Sequence, residues 1–453
     1  MILPLENRIY CGFKNGTPIY YGGPGQDRHC MMLGPTGSGK DTSSILPNAL
    51  TLNETLFIFD PAAEVLATAG RFREKLGWVE VVNPMGTIVN ELDQRGNRKY
   101  PHLANFKSRG YNPLHSLSVR KPSFSSDVPK ISEAIFTIDP KDRHWGRRCR
   151  QLGNCLIMRE CWFADEEKRN PSMENVMDML SLPHVVDEKE SEPSLSKLLT
   201  KISTHHYRPM ARLAPSFIRE TPEVNSVLAS AAEACQSLMM DDQLIADMNL
   251  GGAIDWERGK HEVGTVFIVL PGDMFETHAV WLRLLLADAI NAMTKTGPGK
   301  QRPIFILNEV GNLGRLDALK RAVGMIRKNG ARLNLFLQDL NQLEEIYGAA
   351  AAGSFIANMG MISSFATNDP ATWDYFCKRA GTVTVEMDSY RTDQSGDQKQ
   401  RHAAGFNVLN PEDVASIDAR KTGNFLHGVP YYVELDTPFY EDICRGYDPN
   451  PYH

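Results

Sequence analysis

The chain has 453 residues, of which 42% are hydrophobic, so it can bury a large core, and its length predicts about two or three domains. A formal net charge of −6 excludes nucleic-acid binding through a generally basic surface, so any such contact must come from local patches. Eight cysteines without CxxC or zinc-ligand spacing predict reduced, mostly buried thiols in a cytosolic protein.

The start of the chain, MILPLENRIYCGF, meets Glu6 and Arg8 before any long apolar run develops, which argues against a signal peptide or a membrane anchor there. The uncharged window 346–368 is long enough to suggest a membrane span. Because Gly, Ser and Asn interrupt it, we interpret it as a short helix, a turn and a buried strand.

Short apolar runs, most of which end at a polar residue, indicate the strands of a mostly parallel sheet in an α/β protein. They lie at 29–34, 55–60, 78–83, 264–270, 303–307, 332–337 and 361–366. Between about 145 and 260, helical periodicity, Met and charged residues predominate instead. We therefore predict a nucleotide-binding domain in two parts, 1–145 and 263–453, interrupted by an all-alpha domain at 146–262.

The strongest single motif is LGPTGSGKDTS at 33–43, which matches G-x-x-x-x-G-K between a strand and a helix. The backbone N–H groups of residues 37–42 would surround the phosphates of ATP, and the Lys40 ammonium would reach the terminal ones. The predicted nucleotide-binding residues are Gly34, Pro35, Thr36, Gly37, Ser38, Gly39, Lys40, Asp41 and Thr42.

A second acidic strand end is needed to hold Mg²⁺ or to polarise water, and the candidate is Asn308-Glu309 after the apolar run PIFIL. We predict Glu309 as general base, with an ordinary solvated acid as the alternative. Gln338 ends another strand, where it would sense the γ-phosphate or simply be a strand-end amide. The predicted catalytic residues are therefore Glu309, Lys40 and Gln338.

The metal site departs from the usual pattern at two positions. Asp41 stands where a Ser or Thr hydroxyl normally binds Mg²⁺, and Asn308 stands where a carboxylate is expected. Asp41 could ligate Mg²⁺ directly or through water, with Thr42 as an alternative hydroxyl, so the predicted metal residues are Asp41, Thr42 and Asn308. Without the metal, the Asp41 carboxylate would repel the phosphates. Both an altered but working ATPase and a non-hydrolysing scaffold remain open.

Two basic clusters suggest contacts with other macromolecules. The first combines cations with a stacking face, typical of single-stranded nucleic-acid binding, although a charged helix start explains it equally well. Its members are Arg143, Trp145, Arg147, Arg148 and Arg150. The second cluster, RKNGAR at 327–332, precedes the strand that ends at Gln338. Arg315, Arg327 or Arg332 could reach across a subunit interface as an arginine finger. The polar segment 388–402 is expected to be a mobile loop, either lining a pore or solvated.

Six blocks in order resemble the TraG/TraD family of type IV coupling proteins, from about residue 8 to the end. They are GPTGSGKDTSSILPNAL, FIFDPAAEVLATAGRFRE, YNPL at 111–114, FILNEVGNLGRL, LFLQDLNQLEEIYG and FATNDPATWDYFCKRAGTVTV. The resemblance implies a RecA-like fold with an all-alpha domain, and an ATPase that forms a homo-hexamer with ATP and DNA. It also implies DNA, single-stranded by expectation, or protein as substrate, and a relaxase or secretion-channel components as partners.

This sequence departs from the family pattern at Asp41, at Asn308 and at Ala62-Ala63, where Lys-Gly is expected, and it shows no N-terminal membrane segments. We therefore expect a cytosolic protein that reaches a membrane only through a partner. Three functions stay open: a coupling-type ATPase of type IV secretion, a non-hydrolysing adaptor of the same fold, and a DNA-pumping motor outside secretion.

Overall fold

The computed structural model describes residues 4–23, 28–138, 143–185, 193–393, 396–427 and 432–438. These residues form two compact units. The first comprises the described residues of 1–53, 308–311 and 332–446, and the second those of 54–307 and 312–331. The domain limits expected from the sequence were placed where the α/β pattern changes to a helical one, not by compactness, and they stay a prediction.

The first unit is built on a mixed sheet. Its strands are β1 (Ile9–Lys14), β2 (Thr17–Tyr21), β3 (His29–Leu33), β8 (Arg332–Leu337), β9 (Met359–Ser364), β12 (Lys421–Leu426) and β13 (Val433–Asp436), in the order β2-β1-β13-β12-β9-β3-β8. β3 pairs in parallel with both β8 and β9, whereas β12, β13, β1 and β2 extend the sheet with antiparallel pairs. Its helices are α1 (Leu46–Thr51), α12 (Asn341–Tyr347), α13 (Ala349–Asn358), α14 (Pro370–Ala380) and α15 (Pro411–Ala415).

The second unit combines a parallel sheet with most of the helices. Its strands are β4 (Leu56–Phe59), β5 (Trp78–Val82), β6 (Gly264–Ile268) and β7 (Ile304–Leu307), in the order β7-β4-β6-β5. Its helices are α2 (Glu64–Leu76), α3 (Phe124–Ile135), α4 (Arg143–Glu167), α5 (Met173–Ser181), α6 (Leu195–Ser203), α7 (Arg208–Ala211), α8 (Pro222–Met239), α9 (Asp242–Leu250), α10 (Phe275–Lys295) and α11 (Asp317–Met325).

The predicted parallel strands are confirmed within a few residues at each end. Residues of β3, β4, β6, β7, β8 and β9 are buried throughout, as expected for apolar runs covered on both faces. The strands β1, β2 and β12 were not predicted, because β1 and β2 mix Tyr, Cys, Gly and Pro, and β12 has the polar start Lys-Thr-Gly-Asn. β1 and β2 pair with each other as an antiparallel hairpin. β1 and β12 also pair antiparallel with strands distant in sequence, β13 and β9 respectively.

The expectation of a loop at 388–402 is wrong for the described backbone. Strands β10 (Thr382–Asp393) and β11 (Gly396–Asn407) pair antiparallel along their length in a separate two-stranded sheet of the first unit. Residues 394 and 395 lie outside the described residues. Cross-strand hydrogen bonds of this kind need no apolar alternation in the sequence, which explains why a polar composition did not reveal the hairpin.

The window 346–368 holds the end of α12, the helix α13 and the buried strand β9, which confirms the interpretation as helix, turn and strand. Within the described ranges, every helix is too short or too polar to cross a membrane. The seven described cysteines are free thiols; Cys377 is half-buried and the other six are buried. Cys444 lies outside the described residues.

Candidate functional site

The loop between β3 and α1 is shaped by glycines. Gly37 has a φ of 78° and Gly39 a φ of 89°, left-handed conformations that glycine adopts without steric cost. A Cβ on Gly34 would lie 2.6 Å from Ser38 Oγ and 2.9 Å from Phe365 Cδ2, so a side chain there would have to displace both. The Gly34 N–H donates to the Leu337 carbonyl at 3.1 Å, which anchors the loop to the end of β8. The glycine spacing noted in the sequence therefore has a steric reason.

The side chain of Lys40 folds back into this loop. Its Nζ donates to the Gly34 carbonyl at 2.6 Å and to the Pro35 carbonyl at 3.3 Å, and lies 3.3 Å from Glu309 Oε1. Only 4% of the Lys40 side chain is exposed. Three oxygens thus hold the ammonium at the loop. A phosphate entering the loop would compete for the same ammonium, so nucleotide binding must exchange some of these contacts.

The helix after the loop opens with a wider turn than an α-helix. Asp41–Ile45 are in π-helical conformation, with the Leu46 N–H bonded to the Asp41 carbonyl, and α1 continues from there. Pro47 accounts for the change, because proline lacks an N–H and its ring crowds the carbonyl four residues earlier. Such wide turns are frequent at functional sites. Here the turn carries Asp41 and Thr42, both half-buried, at the base of the loop.

Glu309 takes an unusual backbone conformation directly after β7. Its φ is 51°, which costs a residue with a side chain about 1–2 kcal/mol. Besides its ion pair with Lys40, Glu309 accepts a hydrogen bond at 3.3 Å through Oε2 from Gln338 Nε2. The structure therefore brings Lys40, Glu309 and Gln338, the three predicted catalytic residues, into one connected group. A carboxylate and an amide beside the lysine of such a loop can orient and deprotonate a water molecule.

The two unusual metal-site positions are in direct contact. Asn308 Nδ2 donates to Asp41 Oδ1 at 2.8 Å. Asn308 is buried, and its Oδ1 accepts no hydrogen bond from any part of the chain that the structure describes. The Asp41 carboxylate and this amide oxygen are hard donors of the type Mg²⁺ prefers. An unsatisfied buried acceptor costs free energy, so the residues present fit a cation at this point.

A cavity of about 480 Å³ adjoins the loop on the side of Pro35 and Gln338. Its other lining residues come largely from the segment that follows β9, including Thr367 and Asp369. Asp369 caps α14 by accepting hydrogen bonds from the Thr372 N–H and hydroxyl. This segment, FATNDP, belongs to one of the six blocks that resemble the family, but none of its residues was predicted as a site residue. Its signal, polar residues after a buried strand, is the one that marked Asn308 and Gln338.

The arginine-finger candidates differ in their surroundings. Arg332 is buried in β8 and donates from Nη2 to the Asn7 carbonyl at 3.3 Å, which disfavours a role across a subunit interface. Arg315 is 24% exposed and pairs with Asp317 at 2.9 Å. Arg327 is exposed at the surface of the second unit. The choice between Arg315 and Arg327 stays a prediction.

The predicted nucleic-acid cluster lies on the first two turns of α4, and its members divide into two groups. Arg143 and Arg147 are exposed, and Trp145 is half-buried. Arg148 instead pairs with Glu223 at 3.2 Å, and Arg150 pairs with Asp317 at 3.4 Å. The last two arginines serve contacts within the second unit, so a nucleic-acid surface here would rest on the exposed group.

The family model described as Type IV secretory system Conjugative DNA transfer matches residues 5–428. The Conjugal transfer protein TraG of Rhizobium radiobacter is 28% identical over 373 residues, which cover 80% of this chain and 53% of that protein. This chain thus spans about half the length of that relative.

Two solved structures are similar across nearly the whole chain. The bacterial conjugative coupling protein TrwBdeltaN70 matches with a TM-score of 0.67 at 16% identity, covering 96% of this chain and 88% of that one. The plasmid coupling protein TrwB in complex with ADP and Mg²⁺ matches with a TM-score of 0.63 at 16% identity, covering 96% and 89%. At this identity the likeness shows the fold alone, and it confirms the predicted RecA-like α/β class.

Proposed function

The chain belongs to the family of type IV secretory system proteins for conjugative DNA transfer, and on that premise we propose that it is a coupling-type ATPase. It binds ATP with Mg²⁺ and uses hydrolysis to drive DNA or protein substrates towards a secretion channel. The observation that carries this proposal is the connected group at the loop, in which Lys40 Nζ lies 3.3 Å from Glu309 Oε1 and Gln338 bonds to the same carboxylate.

In this mechanism the chain's own groups bind, orient and deprotonate. The loop amides at 37–42 and Lys40 hold the phosphates. To bind them, the Lys40 ammonium gives up its ion pair with Glu309. The released Glu309 carboxylate accepts the proton of the attacking water, while Gln338 keeps that carboxylate oriented through Oε2. Glu309 is 18% exposed, so water can reach it.

Asp41, Asn308 Oδ1 and the Thr42 hydroxyl would hold Mg²⁺, whose charge offsets that of the phosphates when it is bound. Support comes from the buried Oδ1 of Asn308, which accepts no hydrogen bond within the described ranges, and from the contact of its amide with the Asp41 carboxylate. The complex of TrwB with ADP and Mg²⁺ adds that a protein of similar fold accepts this ligand pair.

The partners are proposed from the family. We expect a homo-hexamer when ATP and DNA are bound, a relaxase or channel components as protein partners, and attachment to the inner membrane through one of them. Single-stranded DNA is the expected nucleic-acid substrate, with the exposed Arg143 and Arg147 as contacts.

A non-hydrolysing adaptor is the second candidate, and one observation favours it. The Lys40 ammonium already has three oxygen partners, and the Asp41 carboxylate stands at the base of the loop. Because these contacts satisfy the Lys40 ammonium without a phosphate, the loop could keep its fold in a protein that does not hydrolyse ATP.

One experiment separates the two candidates. Phosphate release is measured with Mg²⁺-ATP, with and without single-stranded DNA, beside light scattering for the mass of the assembly. Magnesium-dependent turnover that disappears in Lys40→Ala supports the ATPase. Nucleotide binding without turnover under every condition supports the adaptor, and absence of binding contradicts both.

A further inference from the structure

Gln342 lies at the start of α12, four residues after Gln338, and its side chain reaches back to the end of β8. Its Oε1 accepts a hydrogen bond from the Gln338 backbone N–H at 3.0 Å. The N–H of Gln342 itself donates to Asp339 Oδ1 at 3.0 Å, which fixes the turn from which the side chain projects. The Gln342 side chain thus holds the Gln338 backbone, and the Asp339 side chain holds the Gln342 backbone.

The same amide group packs against the turn that carries Glu309. A Cβ on Gly311 would lie 2.7 Å from Gln342 Cδ and Oε1 and 2.8 Å from Nε2. Since real Cβ atoms do not approach other atoms so closely, only glycine at this position admits the amide. Glu309, two residues earlier, has the left-handed φ of 51°, and such a conformation persists only where the surroundings support it.

We infer that Gln342 is a positioning residue for the proposed hydrolysis. Its amide contacts both segments that meet at the proposed catalytic group. It accepts a hydrogen bond from the Gln338 backbone N–H, and it packs against Gly311 in the turn after Glu309. By fixing the two backbones relative to each other, it keeps Gln338 Nε2 within 3.3 Å of Glu309 Oε2. The inference rests on the proposed ATPase function, in which Glu309 must hold one orientation to accept a proton from water.

Two substitutions separate the hydrogen bond from the shape of the side chain. Gln342→Met keeps length and volume but removes the acceptor, whereas Gln342→Glu keeps an acceptor for the Gln338 N–H. We expect Gln342→Met to lower kcat roughly three- to tenfold, the cost of one such hydrogen bond, with KM and nucleotide affinity within about twofold. Gln342→Glu should retain most of kcat.

A readout without turnover accompanies the kinetics. Hydrogen exchange at the Gln338 N–H, measured on nucleotide-free protein, should accelerate in Gln342→Met and stay slow in Gln342→Glu. If Gln342 acts through packing alone, Gln342→Met should leave kcat and exchange unchanged and Gln342→Glu should impair them. That result would overturn the inference. Melting temperatures confirm that each variant is folded.

The contact with Gly311 supplies a double-mutant test. Gly311→Ala should displace the Gln342 amide and lower kcat. In a Gln342→Ala background the same change should lower kcat much less, because no amide is left to clash with the new methyl group. Equal effects of Gly311→Ala in both backgrounds contradict the inference. If the unmodified protein hydrolyses no ATP, the proposed function fails; if it does and Gln342→Met is unchanged in kcat and exchange, the positioning role alone fails.

Discussion

Asn308 and Asp41, separated by 267 positions in the chain, are joined by a hydrogen bond of 2.8 Å from the Asn308 amide to the Asp41 carboxylate. These are the two residues at which the metal site departs from the usual pattern. A carboxylate at both positions would place like charges in contact, which disfavours folding, whereas an amide facing a carboxylate is stabilising. The two departures therefore compensate each other in space.

The first prediction concerns this pair. Asp41→Thr should lower Mg²⁺-dependent turnover at least about tenfold, because no carboxylate remains at the metal site. Asn308→Asp should lower the melting temperature in the absence of Mg²⁺, and Mg²⁺ should restore it by neutralising the two facing carboxylates. The double variant rebuilds the usual arrangement and should recover the starting turnover. A double variant no better than Asp41→Thr would show that Asp41 is not a displaced ligand.

The second prediction concerns nucleotide binding. Lys40→Ala removes the ammonium that the loop places for the phosphates, so binding of a fluorescent ATP analogue with Mg²⁺ should disappear. Lys14→Ala, which changes an exposed lysine of β1 in the same unit, is the matched control and should bind normally. Unchanged affinity in Lys40→Ala would contradict the assignment of this loop.

The third prediction separates binding from chemistry. Glu309→Gln removes the proposed general base and should reduce turnover about 10²- to 10⁴-fold. Nucleotide affinity should not fall, because the variant also releases Lys40 from its ion pair at 3.3 Å. Glu345→Gln, at an exposed position of α12, serves as the control. Retention of turnover in Glu309→Gln would assign the base elsewhere.

The fourth prediction compares two arginines of α4. Arg147→Ala, at an exposed position, should weaken single-stranded DNA binding and reduce the slope of log affinity against log salt by about 0.7. Arg150→Ala should leave that slope unchanged. It should instead lower the free energy of unfolding by about 1–3 kcal/mol, because Arg150 Nε donates to the Phe136 carbonyl at 2.7 Å and Nη2 pairs with Asp317. Identical salt slopes for Arg147→Ala and the unmodified protein would exclude this surface as a site of DNA binding.

Much of the fold could be predicted from local pattern. The apolar runs of β3, β4, β6, β7, β8 and β9 are buried strands because a parallel sheet covered on both faces needs uninterrupted apolar segments. The G-x-x-x-x-G-K spacing indicated a sharp loop before a helix, and the positive φ angles of Gly37 and Gly39 give its physical basis. Polar residues at strand ends indicated Glu309 and Gln338 as candidates, since parallel strands present their carboxyl ends at one edge.

Local sequence was enough to predict the segments whose conformation depends on residues close by: the glycine loop, the buried strands and the helical region between about 145 and 260. Which distant side chains meet depends instead on the tertiary fold. It placed the Asn308 amide on Asp41, buried Arg332, paired Arg150 with Asp317 and fitted Gln342 over Gly311. Such contacts join chain segments that only folding brings together. The periodicity or spacing of residues within one segment does not encode the distance between its side chains and those of another segment.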